Sequence, residues 1–183
     1  YRQRLMIHNY QQEMVSEKVK LPTEIEAKQF YESNKELFLL EDAVIKGAII
    51  KVPNNIKTDN IQRKFKKLNE NIADIEKYAL QYATDYVLFT EYWRLVGDVI
   101  NTETSKLKIN KIGYYEEKDS LHLMLINVTE YLPQGEVAPF EMIKEDVQTM
   151  LYNQHKMDYL NNFEKEMFEY GVRHNQIQIK ENN

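Results

Sequence analysis

The sequence predicts an α+β protein in which helical segments from both ends of the chain form one body around an inserted β-α-α-α-β-β domain. Apolar residues recur at helical spacing near both chain ends. Residues 43–53, AVIKGAIIKVP, are instead aliphatic and β-branched and end at a proline, which is typical of a strand. We therefore predict a discontinuous helical domain, residues 1–42 and 133–183, and an inserted domain, residues 43–132.

The N-terminal segment predicts two helices. Residues 1–20 have helical spacing, and Pro22 interrupts them. Thr23 followed by Glu26 is a capping-box pattern, in which the two side chains satisfy backbone amides of the first helical turn. A second helix is therefore predicted over residues 24–37.

The longest helical pattern runs from Pro139 to Tyr170, and Gly171 favours its end. Its apolar residues form two stripes on nearly opposite sides. We expect the first half to support the middle of the chain and the second half to close against the N-terminal helices. The first stripe comprises Phe140, Ile143, Val147, Met150 and Leu151, and the second comprises Leu160, Phe163, Met167 and Tyr170.

Within the insert, helical spacing predicts short helices over residues 61–68 and 71–82 and a third over residues 89–100. Two strand-like runs follow, and the polar residues 117–119 between them indicate a hairpin turn. Residues 175–179, NQIQI, predict one further short strand near the end of the chain.

The composition excludes several classes of site. The chain has 183 residues, no cysteine and a net charge of −5, so we expect neither a disulfide, a thiol nucleophile or a zinc cluster, nor a nucleic-acid partner. No apolar stretch approaches the roughly 20 residues that a transmembrane helix needs. The sequence starts inside a helical pattern without an initiator methionine, so we expect a fragment or processed product whose targeting segment is missing.

Catalytic and metal-binding motifs are also missing. The four histidines form no His-x-x-x-His pair, and no glycine-rich phosphate loop or Gly-x-Ser-x-Gly turn occurs, so we expect no metal and no cofactor. We expect His155 and His174 to be solvated and His8 to lie on the side of a helix. His122 lies in the apolar run LHLMLINV, where it is either a hydrogen-bonded core residue or a functional one.

The order of these segments resembles the SurA/PrsA-type chaperones that carry a parvulin domain, which are exported bacterial folding factors. The runs PTEIEAKQFYESNKELF and GEVAPFEMIKEDVQTMLYNQHKMDYL carry most of this resemblance. It implies a periplasmic location, or tethering to a membrane facing the periplasm. It also implies unfolded or outer-membrane polypeptides as partners and a possible homodimer, and some members of the family are peptidyl-prolyl cis-trans isomerases.

The chain departs from the parvulin pattern at the residues that form the proline site. The first central histidine of the pattern corresponds to Ala48, whereas the second corresponds to His122. Residues 84–90 contain no glycine, so the Gly-Gly-x-Leu-Gly segment has no counterpart. Since prolyl isomerisation has a barrier of about 18–20 kcal/mol, a catalyst needs a preorganised site, which this sequence has partly lost.

We therefore expect a SurA-like chaperone that binds extended polypeptides and lacks isomerase activity, with His122 as a catalytic remnant. Two alternatives stay open: an active isomerase that uses His122, and a non-enzymatic structural subunit of an assembly. The residues that we expect to line a peptide-binding groove are Tyr86, Phe89, Trp93 and Met124.

Overall fold

A computed structural model of the chain describes residues 13–100 and 105–174. The predictions for His8, for the start of the first helix and for the NQIQI strand lie outside these residues. The elements are α1 (residues 13–18), α2 (Glu24–Ser33), β1 (Val44–Pro53), α3 (Asp59–Phe65), α4 (Leu68–Tyr82), β2 (Asp85–Leu95), α5 (Val96–Val99), β3 (Gly113–Lys118), β4 (His122–Leu132) and α6 (Phe140–Arg173). This mixture of helices with one antiparallel sheet confirms the α+β fold class.

Two compact units divide the chain. Residues 35–142 form one unit, and residues 1–34 with 143–183 form the other. The boundaries between the two units follow Asn34 and Met142, and both lie within the helical domain that we predict. Residues 35–42 and 133–142, which we predict in the helical domain, thus belong to the sheet-containing unit. A backbone hydrogen bond connects these two segments, because Leu40 N–H donates to the carbonyl of Glu136 at 2.8 Å. The assignment of a chaperone body and a degenerate inserted domain stays a prediction.

The capping box that the sequence predicts is present at the start of α2. The Thr23 amide donates to Oε2 of Glu26 at 2.8 Å, and the Glu26 amide donates to Oγ1 of Thr23 at 3.3 Å. The helix is shorter than predicted: it ends at Ser33, and a 3-10 turn follows at Lys35–Leu37. The polar Asn34 side chain donates to the carbonyl of Phe30 and thereby competes with a further helical turn.

The long helix α6 is confirmed, but it continues through Gly171 to Arg173. The prediction that Gly171 ends the helix was therefore wrong; a glycine lowers helix stability but does not prevent a helix. In its first half, Lys144 Nζ lies 3.1 Å from Oε2 of Glu24, and Gln148 Nε2 donates to the carbonyl of Pro22 at 3.0 Å. These two contacts join the first half to the N-terminal segment, whereas we predict that it supports the middle of the chain.

The sheet is four-stranded and antiparallel, with the order β2-β1-β4-β3. β1 and β4 are the central pair, and their register joins Ile49 with Ile126 and Ile50 with Leu125. Because side chains alternate along a strand, these two pairs lie on opposite faces of the sheet. The hairpin between β3 and β4 is confirmed, although its turn covers residues 119–121.

The predicted third helix of the insert is wrong. Residues 85–95 form strand β2, and only Val96–Val99 are helical. Tyr86 and Leu88 pack on one side of the sheet, whereas Val87 and Phe89 pack on the other. Two-sided burial next to β1 therefore decides the conformation, and the helical spacing further along the segment does not.

Each face of the sheet has its own apolar core. On the helix-covered face, Ala48, Ile50 and Leu125 pack against α3 and α4, with Phe65 and Ile75 fully buried. On the opposite face, a core is completed by α5, by Ile100 and by residues 107–109. This second core contains Ile45, Phe89, Ile100, Ile109, Ile126 and Val128. The helices α3 and α4 thus leave the opposite face to be covered by short segments, and a groove remains at one end of it.

Candidate functional site

One row of side chains crosses all four strands at one end of the sheet. Lys51 of β1 pairs with Asp85 of β2 and with Met124 of β4, and Met124 pairs with Glu117 of β3. Side chains that are directly paired in neighbouring strands lie on the same face. The row therefore reads Asp85-Lys51-Met124-Glu117 on the opposite face, one step beyond the apolar core.

This row lies in a groove of about 840 Å³. Ile49, Lys51 and Met124 contribute the sheet surface, and residues 105–107 contribute a side wall. Charged groups of both signs surround these apolar surfaces. They are Lys51, Asp85, Lys106, Glu117 and Asp119. A groove with an apolar base and charges of both signs can hold an extended polypeptide, since such a ligand offers apolar side chains and a polar backbone.

Glu117 connects β3 to the side wall of the groove. Its Oε2 accepts a hydrogen bond from Ser105 Oγ at 2.6 Å, and its Oε1 accepts one from the Lys106 amide at 2.7 Å. These two donors, the hydroxyl first, lower the pKa of Glu117, because they favour the charged carboxylate. The side chain is therefore ionised at neutral pH and holds two donors of the neighbouring segment.

Asp119 shapes the hairpin at the rim of the groove. Its Oδ1 accepts hydrogen bonds from the amides of Leu121 and His122, both at 2.7 Å. These backbone donors lower the pKa of the Asp119 carboxyl. The charged form of Asp119 thus stabilises the turn that leads into β4.

His122 is the first residue of β4 and lies next to this turn. It pairs with Pro53, and its side chain retains 24% of its solvent exposure. Its Nδ1 is 3.8 Å from Oδ1 of Asp119, which is too long for a hydrogen bond. His122 does not belong to the lining of the groove. His122 therefore occupies a partly exposed position at the start of β4, and its functional role stays a prediction.

The structure does not bring Ala48 and His122 together. Ala48 pairs with Asn127, whereas His122 pairs with Pro53, so the two positions lie roughly 16 Å apart along the strands. They also lie on different faces, because Ala48 packs in the core under α3 and α4, and His122 alternates with Leu123 of that core. The two positions that we expect to correspond to the parvulin histidines therefore form no common site here.

The four predicted peptide-binding residues do not form one surface. Met124 lines the groove, but Phe89 lies on the same face in the core and is fully buried. Tyr86 packs on the helix-covered face. Trp93 lies near the far end of β2, where Lys46 Nζ lies 4.9 Å from the centre of its ring. The peptide-binding assignment stays a prediction, and Met124 is the residue that the groove supports.

Sequence reasoning missed the charged residues of the groove, namely Lys51, Asp85 and Glu117. A charged residue inside or at the start of a strand is a usable signal for an exposed position on one face. Lys51 interrupts the aliphatic run of β1, and the predicted third helix concealed the strand that begins at Asp85. The row could be assembled only from the strand register.

The comparison with known families decides the membership of this chain. Residues 22–145 match the family described as the PPIC-type PPIASE domain, which is more than half of the sequence. The chain belongs to the PPIC-type PPIase domain family. This confirms the resemblance to parvulin-type proteins, and the matched region contains α2, the sheet with helices α3 to α5, and the start of α6. It also names peptidyl-prolyl isomerases as the enzyme class to which the domain is related.

The chain was also compared with solved structures and with curated proteins. A solved structure from Campylobacter jejuni, reported with PEB4 and Cj1289 as "two structurally-related SurA-like chaperones", is 14% identical and covers 99% of this chain and 71% of that chain, with a TM-score of 0.38. A similarity at this TM-score supports no argument about function. No curated protein matches the chain. Among the helices of residues 13–100 and 105–174, none combines the length and apolar composition needed to cross a bilayer.

Proposed function

We propose that this PPIC-type PPIase family protein is a chaperone that holds extended segments of unfolded polypeptides and lacks prolyl isomerase activity. We further propose the periplasm, or a membrane surface facing it, as its location, with unfolded outer-membrane proteins as clients and a homodimer as a possible assembly. The groove that contains the row Asp85-Lys51-Met124-Glu117 is the proposed contact for the client.

The observation that carries this proposal is the separation of Ala48 from His122. Isomerisation requires a site that stabilises the twisted amide better than the planar one. Two side chains on different faces of the sheet cannot contact one prolyl bond together. Holding a polypeptide requires much less: an apolar surface, polar groups for the backbone and an opening that admits an extended chain. The groove offers these features around Ile49 and Met124.

A second candidate is an active isomerase that uses His122, and the family membership favours it. In this case His122 is the catalytic side chain, and it must move closer to Asp119 Oδ1, which lies 3.8 Å from Nδ1, to form a hydrogen bond with it. An assay with a proline-containing tetrapeptide separates the two candidates. We expect no acceleration of cis-trans exchange by the wild-type chain. Acceleration that His122→Ala abolishes would replace our proposal with the isomerase.

The third candidate is a structural subunit without client binding. An aggregation assay with an unfolded outer-membrane protein tests it: we expect a severalfold molar excess of the chain to suppress light scattering. Met124→Ala should weaken this suppression because it removes apolar surface from the groove. The matched control is Leu80→Ala, an exposed leucine on α4 outside the groove. Unchanged scattering in the presence of wild-type chain would exclude a chaperone.

A further inference from the structure

The side wall of the groove is attached to the sheet at two different places. Ile109 is buried in the core of the opposite face, and Leu107 packs against that core. Ser105 and Lys106 have no such apolar anchor, and Lys106 is exposed. Within the described part of the chain, two hydrogen bonds to the Glu117 carboxylate, at 2.6 and 2.7 Å, attach them to the sheet.

The geometry of Glu117 is suited to holding this segment in place. Each of its carboxylate oxygens accepts a different donor, one from a side chain and one from the backbone. The Ser105 hydroxyl oxygen in turn accepts the Leu107 amide at 3.1 Å, so the contact continues along the segment. Hydrogen bonds to an ionised acceptor are roughly twice as strong as neutral ones. One side chain of β3 thereby holds Ser105 and Lys106 beside the sheet.

We infer that Glu117 is a positioning residue, which holds residues 105–107 beside Met124 and so preorganises the groove for an extended polypeptide. This inference rests on the proposed function and adds a residue to it. A wall that is already ordered loses less conformational entropy when a ligand binds, so affinity is higher. Glu117 itself is not required to touch the ligand.

The first measurement is amide hydrogen exchange by NMR on the full chain, without ligand. In Glu117→Gln we expect the Lys106 amide to exchange about tenfold faster, because its acceptor is weakened, while the Ile109 amide keeps its rate. Glu76→Gln is the matched control, since Glu76 is an exposed glutamate on α4 outside the groove. An unchanged rate at Lys106 would overturn the inference.

The second measurement is the affinity for a fluorescently labelled proline-containing peptide. We expect about fivefold weaker binding by Glu117→Gln, mainly through faster dissociation, and no change by Glu76→Gln. Equal affinity of Glu117→Gln and wild type, together with faster exchange at Lys106, would overturn the positioning role. If the wild-type chain binds no peptide, the proposed function fails, and the exchange rates alone then decide whether Glu117 holds the wall.

A double-mutant cycle separates this role from a general loss of stability. Ser105→Ala removes one of the two donors and should accelerate exchange at Lys106 less than Glu117→Gln does. In the Glu117→Gln background, Ser105→Ala should add little, because its partner is already weakened. Additive effects of the two substitutions, or an equal acceleration at buried amides of β4, would contradict a specific contact between these residues.

Discussion

At the scale of single residues, Asn127 connects the central strand to a helix through its side chain. It is a buried polar residue of the central strand β4, between apolar residues on both sides. Its Nδ2 donates to the carbonyl of Phe65 at 2.7 Å. Phe65 is the last residue of α3, so this bond satisfies a carbonyl that the helix leaves without an intrahelical partner. A single amide group thus connects the central strand with the end of the helix above it.

We expect Asn127→Ala to destabilise the sheet-containing unit by about 1–3 kcal/mol, because it leaves the buried Phe65 carbonyl without a donor. Urea unfolding followed by the fluorescence of Trp93 measures this change, since the chain contains one tryptophan. Asn71→Ala is a suitable control, because Asn71 donates to the carbonyl of Lys67 at an exposed position. A shift for Asn127→Ala no larger than that of the control would contradict the role of this bond.

The lowered pKa of Asp119 predicts how the stability of the hairpin changes in acid. Because its pKa in the folded chain lies below the ordinary value of 3.8, the folded state favours the carboxylate. Its contribution to stability is therefore complete above that ordinary value and is lost as the pH falls through the lowered pKa. Asp119→Asn keeps an oxygen acceptor but does not titrate, so this variant should lose less stability in acid than the wild type.

The measurement for Asp119 is the difference between the urea midpoints at about pH 7 and about pH 3. This difference should be smaller in Asp119→Asn than in the wild type. The control is Asp42→Asn, an exposed aspartate outside the elements of the sheet, which should behave as the wild type. Equal differences in all three proteins would show that the hairpin does not depend on the charge of Asp119.

At the scale of elements, strand β2 shows how pairing overrides local spacing. Between the pairs Gly47–Phe89 and Ile45–Arg94, Lys46 alone faces four residues of β2. This bulge places Trp93 near Lys46, whose ammonium group also lies 3.2 Å from Oε1 of Glu130 on the other neighbouring strand. Bulges bend a strand and interrupt a flat edge, which limits pairing with other chains. Helical spacing in this segment therefore does not indicate a helix.

Gly47 allows the backbones of β1 and β4 to approach each other closely. A Cβ atom at this position would lie 1.9 Å from the carbonyl oxygen of Asn127. Gly47→Ala must therefore separate the central strands or shift their pairing, and we expect a loss of about 3 kcal/mol or more. Gly97→Ala is the matched control, because a Cβ at Gly97 would meet nothing within 4 Å. Similar urea midpoints for the two variants would contradict this explanation.

At the scale of the whole molecule, the division into two units has a measurable consequence. Trp93 belongs to the unit of residues 35–142, whereas most of the long helix α6 belongs to the other unit. Tryptophan fluorescence therefore reports the sheet, and far-UV circular dichroism is weighted towards the helices. The boundaries of the units also differ from the predicted domain boundaries, since residues 35–42 and 133–142 are grouped with the sheet.

We expect Gly47→Ala to lower the urea midpoint seen by Trp93 fluorescence more than the midpoint seen by circular dichroism at the helical minimum. The substitution acts on β1 and β4, and two-state behaviour is not expected of a chain with two compact units. The reference is the difference between the fluorescence and circular dichroism midpoints of the wild type. Coincident transitions in both proteins would mean that the units unfold together.

The sequence alone determined the α+β class, the capping box at Thr23, the strand β1, the two helices over it and the long helix α6. These features depend on neighbours in the chain, through periodicity and backbone chemistry, and such patterns can be read locally. The resemblance to parvulin-type proteins came from the same local runs, and the family match over residues 22–145 confirms it.

Only the tertiary structure decided that residues 85–95 form a strand, that Ala48 and His122 lie apart, and that Asp85, Lys51, Met124 and Glu117 form one row. These facts depend on which strands are neighbours and in which register. A shift of the register by one residue moves every side chain to the other face, and nothing in a short segment specifies that choice. The physical reason is that the groove is made from pairings between residues far apart in the chain.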